Sequence, residues 1–505
     1  MRVAIFSTHP TWLTHFETEL EIAQDLLNKG ANVDFYICDD KSFSCCENIL
    51  SRSLLDKIKY NKISELNCNF CISRQSKGFN LLKGDIRKYP LINKKQIVLS
   101  HNFECSYLQS PNNLKNLYYD DDYDIGWSLL SSFVSFTRNP YIDLFEYKNE
   151  IQNLYSDSIK VYETAKEALI SNNYDRIYVF NGRFSYTRGL LRLGQKYNVP
   201  TFIHERGSVP QKYGIFLNTY PHDISNYFKI VNKHWDKSNK IKRVIEGKNF
   251  FRNKIDGFTG SWKSYTSNFE LDKLPEGFDT GLFNIVIFTS SDDEYISIDK
   301  TWDNPYFNNQ LEGLEFLCEE FDKLGQINQI LYIRLHPNSK EMDENYIKRL
   351  SLLTKYKNVN IIFSDSSVNS YSLLFNADKV ITFGSTMTIE ANFWGKPVVL
   401  LGNSLYSPFA SSVKPEGIND VVEVCFKSKL TKTNRKDAIK IGYYLGTYGE
   451  YYKYYKAKDY LNGYFKGINL STGELLISPE PKFTTFVNRI KRILYPCYLL
   501  FKKVI

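Results

Sequence analysis

The stretch "VITFGSTMTIEANFWGKPVVLLG", residues 380–402, decides the fold. An apolar run ends in Phe383-Gly384-Ser385-Thr386, a helical pattern follows, and Gly395-Lys396-Pro397 opens a second apolar run. Strand, turn, amphipathic helix and strand in that order form the βαβ unit of a parallel sheet. Gly, Ser and Thr at such a turn have two readings. They are helix caps, the commonest use of these residues, or they line a phosphate, which the free N–H groups and partial positive charge of a helix N-terminus bind. Gly384 removes the Cβ that would block a close approach to the backbone. Thr386 and Glu390 are four apart, so their side chains share one helix face. Glu390 is too far along to reach the same phosphate and suits a ribose hydroxyl.

Working outward, a strand-helix-strand series runs from Phe283. Its strands are "FNIVIFTS", "QILYIRLHP", "VNIIFSD", "DKVITFG" and "KPVVLLG", with helical patterns such as "FNNQLEGLEFLCEEFDKL" between them. The N-terminal half opens likewise, with strand "RVAIFS", helix "THFETELEIAQDLLNKG" and strand "NVDFYIC". Thr14 and Glu17 have the spacing of a capping box, and Gly30 stands where a helix C-terminus wants a left-handed residue. Residues from about 75 to 150 show no clear period. Order returns at "YDRIYVFNGR", "TRGLLRLGQKYNVP" and "TFIHERG", again strand, helix, strand. The polar, Gly/Pro-containing "TSNFELDKLPEGFDTG" suits an interdomain linker. The expectation is α/β with two Rossmann-like doubly wound domains facing a cleft: residues 1–270 on the acceptor side and 271–430 on the donor side. A helical segment, 431–470, is expected to return to the first domain, followed by a basic amphipathic tail, 471–505.

The net charge of +8 is localised. Residues 481–505 hold six Lys and Arg and no acid, leaving +2 for everything before them. A nearly neutral body disfavours nucleic-acid binding, and a basic tail suits an anionic surface. In that tail Phe486, Ile490, Ile493, Leu494, Cys497 and Phe501 recur at helical spacing, too short to span a bilayer but fit for an interfacial anchor. The start "MRVAIFSTHP" lacks a signal-peptide pattern. The expected location is therefore cytoplasmic, peripheral on the inner face of the membrane. Cys45-Cys46 and Cys68-x-x-Cys71 are read as ordinary thiols rather than a zinc knuckle, since adjacent cysteines are awkward ligands.

The segments "IRLHPN" and "FGSTMTIEANFWGKPVV" resemble the donor-binding domain of bacterial capsular-polysaccharide and lipopolysaccharide glycosyltransferases of the GT-B fold. "HFETELEIAQDLLNKGANVDFYIC" is similar to the first βαβ of their acceptor domain. The resemblance implies a nucleotide-sugar donor as substrate, no separate cofactor, and a glycan or lipid-linked glycan acceptor. It implies that His336 and the Gly384-Ser385-Thr386 turn meet the donor phosphates and that Glu390 meets the ribose, with Arg334 at the same strand end. A base for the acceptor hydroxyl is expected across the cleft: Glu205 first, His9 second, His222 third. Arg183 and Arg206 are candidate anion contacts, and Asp293 in "SSDDEY" faces sugar hydroxyls or solvent. With no spaced Asp-x-Asp for a divalent ion, no metal is expected. The rival readings are a polyol-phosphate transferase of teichoic-acid type, whose turn carries an Asp rather than Glu390, and a non-catalytic glycan-binding relative.

Overall fold

The computed structural model describes residues 1–39, 43–44, 46–47, 60–93, 103–255, 272–341, 344–409, 412–430 and 435–471. The amphipathic tail from 472 onward and residues 266–271 of the linker lie outside the described residues.

The first domain is built on strands β1 (Arg2–Ser7), β2 (Asn32–Ile37), β3 (Ile86–Pro90), β4 (Arg176–Phe180), β5 (Thr201–Arg206) and β6 (Lys212–Leu217). The second holds β7 (Phe283–Phe288), β8 (Gln329–Arg334), β9 (Val359–Ile362), β10 (Lys379–Thr382) and β11 (Val398–Leu400). A short β12 (Glu450–Tyr451) returns to the first sheet. The orders are β12-β6-β5-β4-β1-β2-β3 and β11-β10-β7-β8-β9. Strands β1 to β5 are mutually parallel, as is the whole second sheet, with Val3 beside both Val33 and Arg176 and Ile287 beside Ile333. Beyond β5 the first sheet turns antiparallel, β6 against β5 and β12 against β6. Both sheets thus contain the doubly wound 3-2-1-4-5 order, whose ligand crevice opens where the order reverses. Parallel strands are covered on both faces, and accordingly Val3, Ile5, Ile285, Ile287, Val380 and Ile381 are fully buried.

Several local expectations change. "IRKYP" (86–90) is a strand without a strand-like apolar run, because it is an edge with mostly exposed residues. The anticipated capping box at Thr14 does not form: Thr14 makes no side-chain cap bond, and Glu17 instead accepts from buried Arg74 at 2.7 Å, a charge-assisted bond stronger than a cap. Gly30 does take the left-handed conformation, at φ +77°. The C-terminal helix ends at Thr447 rather than running through the tyrosines of the expected helical segment 431–470. Gly449 turns the chain at φ +96°, and a Cβ there would come within 2.8 Å of the Tyr213 carbonyl. The tyrosines beyond it form β12 and a hairpin.

That hairpin is clamped to helix His15–Asn28. Glu21 accepts backbone N–H bonds from Lys453, Tyr454 and Tyr455, and Tyr452 meets Thr18 at 2.7 Å. Helices Ile224–Asp236 and Lys240–Ile255 pack on helix Arg435–Thr447, in an apolar cluster that also takes Ile389 and Phe393 of the second domain. The domains meet a second time where the loop after β7 plugs into the first. Ile298 is fully buried in the first domain's core, Arg188 donates to its carbonyl at 2.8 Å, and the Trp302 indole donates to the His222 carbonyl at 2.8 Å.

Candidate functional site

The ends of β4, β5 and β6 meet the loops after β7, β8 and β10 around one guanidinium. Arg183 follows β4 on a turn formed by Asn181 (φ +56°) and Gly182 (φ +77°). Its Nη2 donates to Ser135 Oγ at 3.1 Å and its guanidinium carbon lies 4.6 Å from the Phe184 ring centre. Nε and Nη1 are buried without a hydrogen-bond partner. Burial lowers this guanidinium to about 10, against the pull of Glu205 from its own domain and Glu294 and Asp293 from the other. Burial, and then Arg183, hold His222 down to about 3, so it is neutral at physiological pH. Its Nδ1 is buried and unpartnered.

Glu205 ends β5 and keeps partial exposure. Asn181 donates to one oxygen at 2.7 Å and the Arg206 backbone N–H to the other at 2.9 Å. His15, buried, places Nε2 3.6 Å from Glu205. Burial pushes His15 well below its usual range, helped by Arg206, His204 and His9. Glu205 is therefore an oriented carboxylate with two fixed donors and a neutral imidazole beside it. Arg206 Nη2 donates to the Leu13 carbonyl at 2.6 Å, holding the loop after β1, while its guanidinium feels the charge of Glu205.

On the second domain, Gly384 takes φ +134°, a conformation that favours glycine. A Cβ there would stand 4.0 Å from Ser290 Oγ, so the loops after β7 and β10 adjoin at the switch point. Ser385 accepts a long cap bond from Met387 N at 3.3 Å. Thr386 is exposed and makes no cap bond, which leaves the turn only weakly used by its own helix. His336 donates its backbone N–H to Thr289 Oγ1 at 2.8 Å, and its Nδ1 accepts from Asn338 N at 3.2 Å. Asn338 in turn donates to Glu294 at 3.0 Å, tying the His336 loop to the acid that faces Arg183. Asp293 pairs with Arg138 of the first domain at 2.8 Å.

Three expected site residues are placed otherwise. His9 is sealed at 1 % exposure, between Thr8 and Glu47 at 2.7 and 2.8 Å and against Trp12 and Phe180, so it is corrected from base to core residue. Arg334 is buried and donates to the carbonyls of Phe363 and Ser366, a brace for the strand end rather than a ligand contact. Glu390 is buried with both oxygens taken, by Lys254 at 2.7 Å and Tyr371 at 2.5 Å. Any ribose contact would have to share them. Tyr406 connects it to the cleft: burial, then the carboxylates of Glu390 and Glu294, push its phenol up. Glu294, Asn338 and Tyr406 were not singled out from the sequence. For Glu294 the acid-rich loop after a strand was a signal, and Asn338 closes the quoted "IRLHPN" segment; for Tyr406 there was none.

Among the described residues, no group of three or more His, Cys, Asp or Glu side chains is placed to hold a metal ion, and none of their helices is long and apolar enough to cross a membrane. Among the described residues, Cys38, Cys46, Cys68 and Cys71 form no disulfide; Cys45 lies outside the described residues.

Residues 302–410 match the family model of capsule polysaccharide biosynthesis proteins. That span carries the His336 loop and the Gly384-Ser385-Thr386 turn. No curated protein matches the chain significantly. Among solved structures, a Thermosulfurimonas dismutans KpsC β-Kdo 2,4 transferase is 14% identical, covering 54% of this chain and 79% of its own, with a TM-score of 0.35. A Neisseria meningitidis UDP-GlcNAc 2-epimerase bound to UDP-GlcNAc is 13% identical over 88% of this chain and 96% of its own, at 0.24. A Methanocaldococcus jannaschii UDP-GlcNAc 2-epimerase in complex with UDP-GlcNAc and UDP is 11% identical over 87% and 98%, at 0.28. Likeness at these scores adds nothing to what the two strand orders establish, a pair of Rossmann-like domains in the GT-B manner.

Proposed function

From the capsule polysaccharide match on the second domain, we propose that this chain is a glycosyltransferase of surface-glycan synthesis. It moves a sugar from a nucleotide-sugar donor on the second domain to a glycan or lipid-linked glycan acceptor on the first. The observation that carries the reading is the position of that match: residues 302–410 include the His336 loop and the glycine turn, and these face Arg183 and Glu205 through Glu294.

The donor diphosphate sits against the turn at 384–386, where Gly384 opens the backbone and Ser385 and Thr386 offer hydroxyls. His336 adds a donor to the leaving phosphate, a contact that matters most as the bond breaks. Glu205 takes the acceptor proton, since His9 is sealed and His222 is too weak a base once held near 3. Arg183 and the turn supply the charge stabilisation without a divalent ion. The basic tail holds the enzyme peripherally on the cytoplasmic membrane face, near a lipid-linked acceptor.

The test is to incubate the full chain with CMP-, UDP- and GDP-linked sugars, with and without acceptor glycan. Acceptor-dependent nucleotide release that falls with Glu205→Gln is expected. Isomerised nucleotide sugar without release would make it an epimerase. Polyol phosphate incorporated from a CDP-polyol would make it a transferase of teichoic-acid type. No turnover, and no thermal stabilisation by any of these nucleotides, would leave a glycan-binding relative.

A further inference from the structure

The body of the chain is nearly neutral in sum but not in distribution. Helices Ile224–Asp236 and Lys240–Ile255 together hold eight Lys and Arg residues against two acids, Asp236 and Glu246, a net of +6. Their inward positions, Tyr227, Val231, Trp235, Gly247 and Phe251, are buried, so the charge is on the outside. On the outer side of Lys240–Ile255, Ile241, Ile245, Lys248 and Arg252 follow one another at i, i+4, i+7 and i+11 and form a single stripe. Ile241 is 74 % exposed and Ile245 51 %, and Lys242, Lys248 and Arg252 beside them are exposed. The stripe continues onto the sheet edge. Lys212 of β6 feels the charge of Lys242, and its ammonium lies 4.5 Å from the ring centre of Tyr451, which is 67 % exposed.

We propose that this face docks on an anionic lipid surface. Two bare isoleucines and a tyrosine ringed by cations match what interfacial helices present: apolar side chains for the acyl boundary, an amphipathic ring at headgroup level, and Lys and Arg stems that reach the phosphates. A second copy of the chain would bring like charges together, and a nucleic acid would leave the isoleucines unused. The surface includes none of the tail's residues and takes no part in the transfer reaction proposed above, so it stands if either of those proposals fails.

Flotation of the full-length protein tests it, on vesicles of phosphatidylcholine alone and of phosphatidylcholine with phosphatidylglycerol. Three full-length variants are compared with the wild type, each checked for an unchanged melting temperature. They are Lys242→Glu with Lys248→Glu and Arg252→Glu; Ile241→Ser with Ile245→Ser; and a tail variant with Lys482, Arg489, Lys491, Arg492, Lys502 and Lys503 each changed to Gln. Binding only to the anionic vesicles is expected, weakened at least about tenfold by the charge reversal and measurably by the serine pair, with the tail variant retaining part of it. Absence of vesicle binding by the wild type, or binding by both helix variants equal to the wild type's, overturns the proposal. So does a loss confined to the tail variant. A change of molecular mass in the helix variants without loss of vesicle binding would assign the face to self-association instead.

Discussion

The two sheets share one strand order, yet the polar groups at their cleft-facing ends are satisfied in opposite ways. At the ends of β4 and β6 of the first domain, Arg183 Nε and Nη1, Asn181 Oδ1 and His222 Nδ1 are buried and unpartnered. In the second, Arg334 is bound to two carbonyls and Glu390 to a lysine and a tyrosine. Asp292 accepts from Tyr141, Tyr295 and Gln310 at 2.7, 2.5 and 2.9 Å. An unsatisfied buried donor costs about 1–3 kcal/mol, more when charged, so a fold keeps one chiefly where a ligand will answer it. The first domain therefore holds charge in readiness. The second is a more nearly finished frame, its buried charges mostly answered within the fold, that presents backbone and small hydroxyls at positions 384–386.

The largest expected effect is at Arg183. Arg183→Met should reduce transfer about 10²–10³-fold while raising the melting temperature, because a buried unpaired cation is replaced by an apolar side chain of similar length. A melting temperature that falls would mean the guanidinium is a structural tie and would erase the contrast between the domains.

Glu390 is the converse case. Glu390→Ala should destabilise the protein by about 2–4 kcal/mol, since Lys254 keeps its charge at a largely enclosed site without a counterion. Unfolding by denaturant measures it. If stability is unchanged and only nucleotide affinity drops, Glu390 is a ligand contact and the second domain is not a finished frame.

Asp292 sharpens the comparison by pH. Burial first, and Asp293 further, raise its carboxyl from 3.8 to about 6. A folded-state value above the unfolded one favours the neutral form on folding, so this stability is present at low pH and is lost as pH rises through about 6. Asp292→Asn cannot ionise, and should exceed the wild type by about 1–3 kcal/mol at pH 8, with the gain vanishing below about pH 4. Melting temperatures measured across that range decide it; parallel curves for the two proteins would refute the assignment.

Thr386 is expected to show the smallest change in stability. Exposed and without a cap bond, it can be changed to Ala within about 0.5 kcal/mol, whereas donor affinity, followed by nucleotide titration, should weaken. Loss of stability without loss of affinity would return the turn to simple capping.

The sequence by itself determined the class of the fold, because strand and helix periods are local: "FNIVIF" and "DKVITFG" are apolar enough to be buried on both faces wherever they lie. It also located the candidate ligand loops, since in such sheets ligands bind beyond strand C-termini, and Arg183, Glu205, His336 and Gly384 all stand there. It could not supply strand order, the edge strand Ile86–Pro90, whose residues are too exposed to show a pattern, or that the returning segment joins the first sheet as strand β12 rather than as helix. Nor could it separate His9 from Glu205, both acid-base groups at strand ends; only packing buried the first at 1 % exposure and left the second open to the cleft. The partners that decide each role are remote in the chain: Lys254 meets Glu390 across 136 residues and Tyr141 meets Asp292 across 151. Composition and period carry no information about such pairings. They arise when two cores, each satisfied locally, are pressed together and their polar groups must find whatever donor or acceptor the other domain offers.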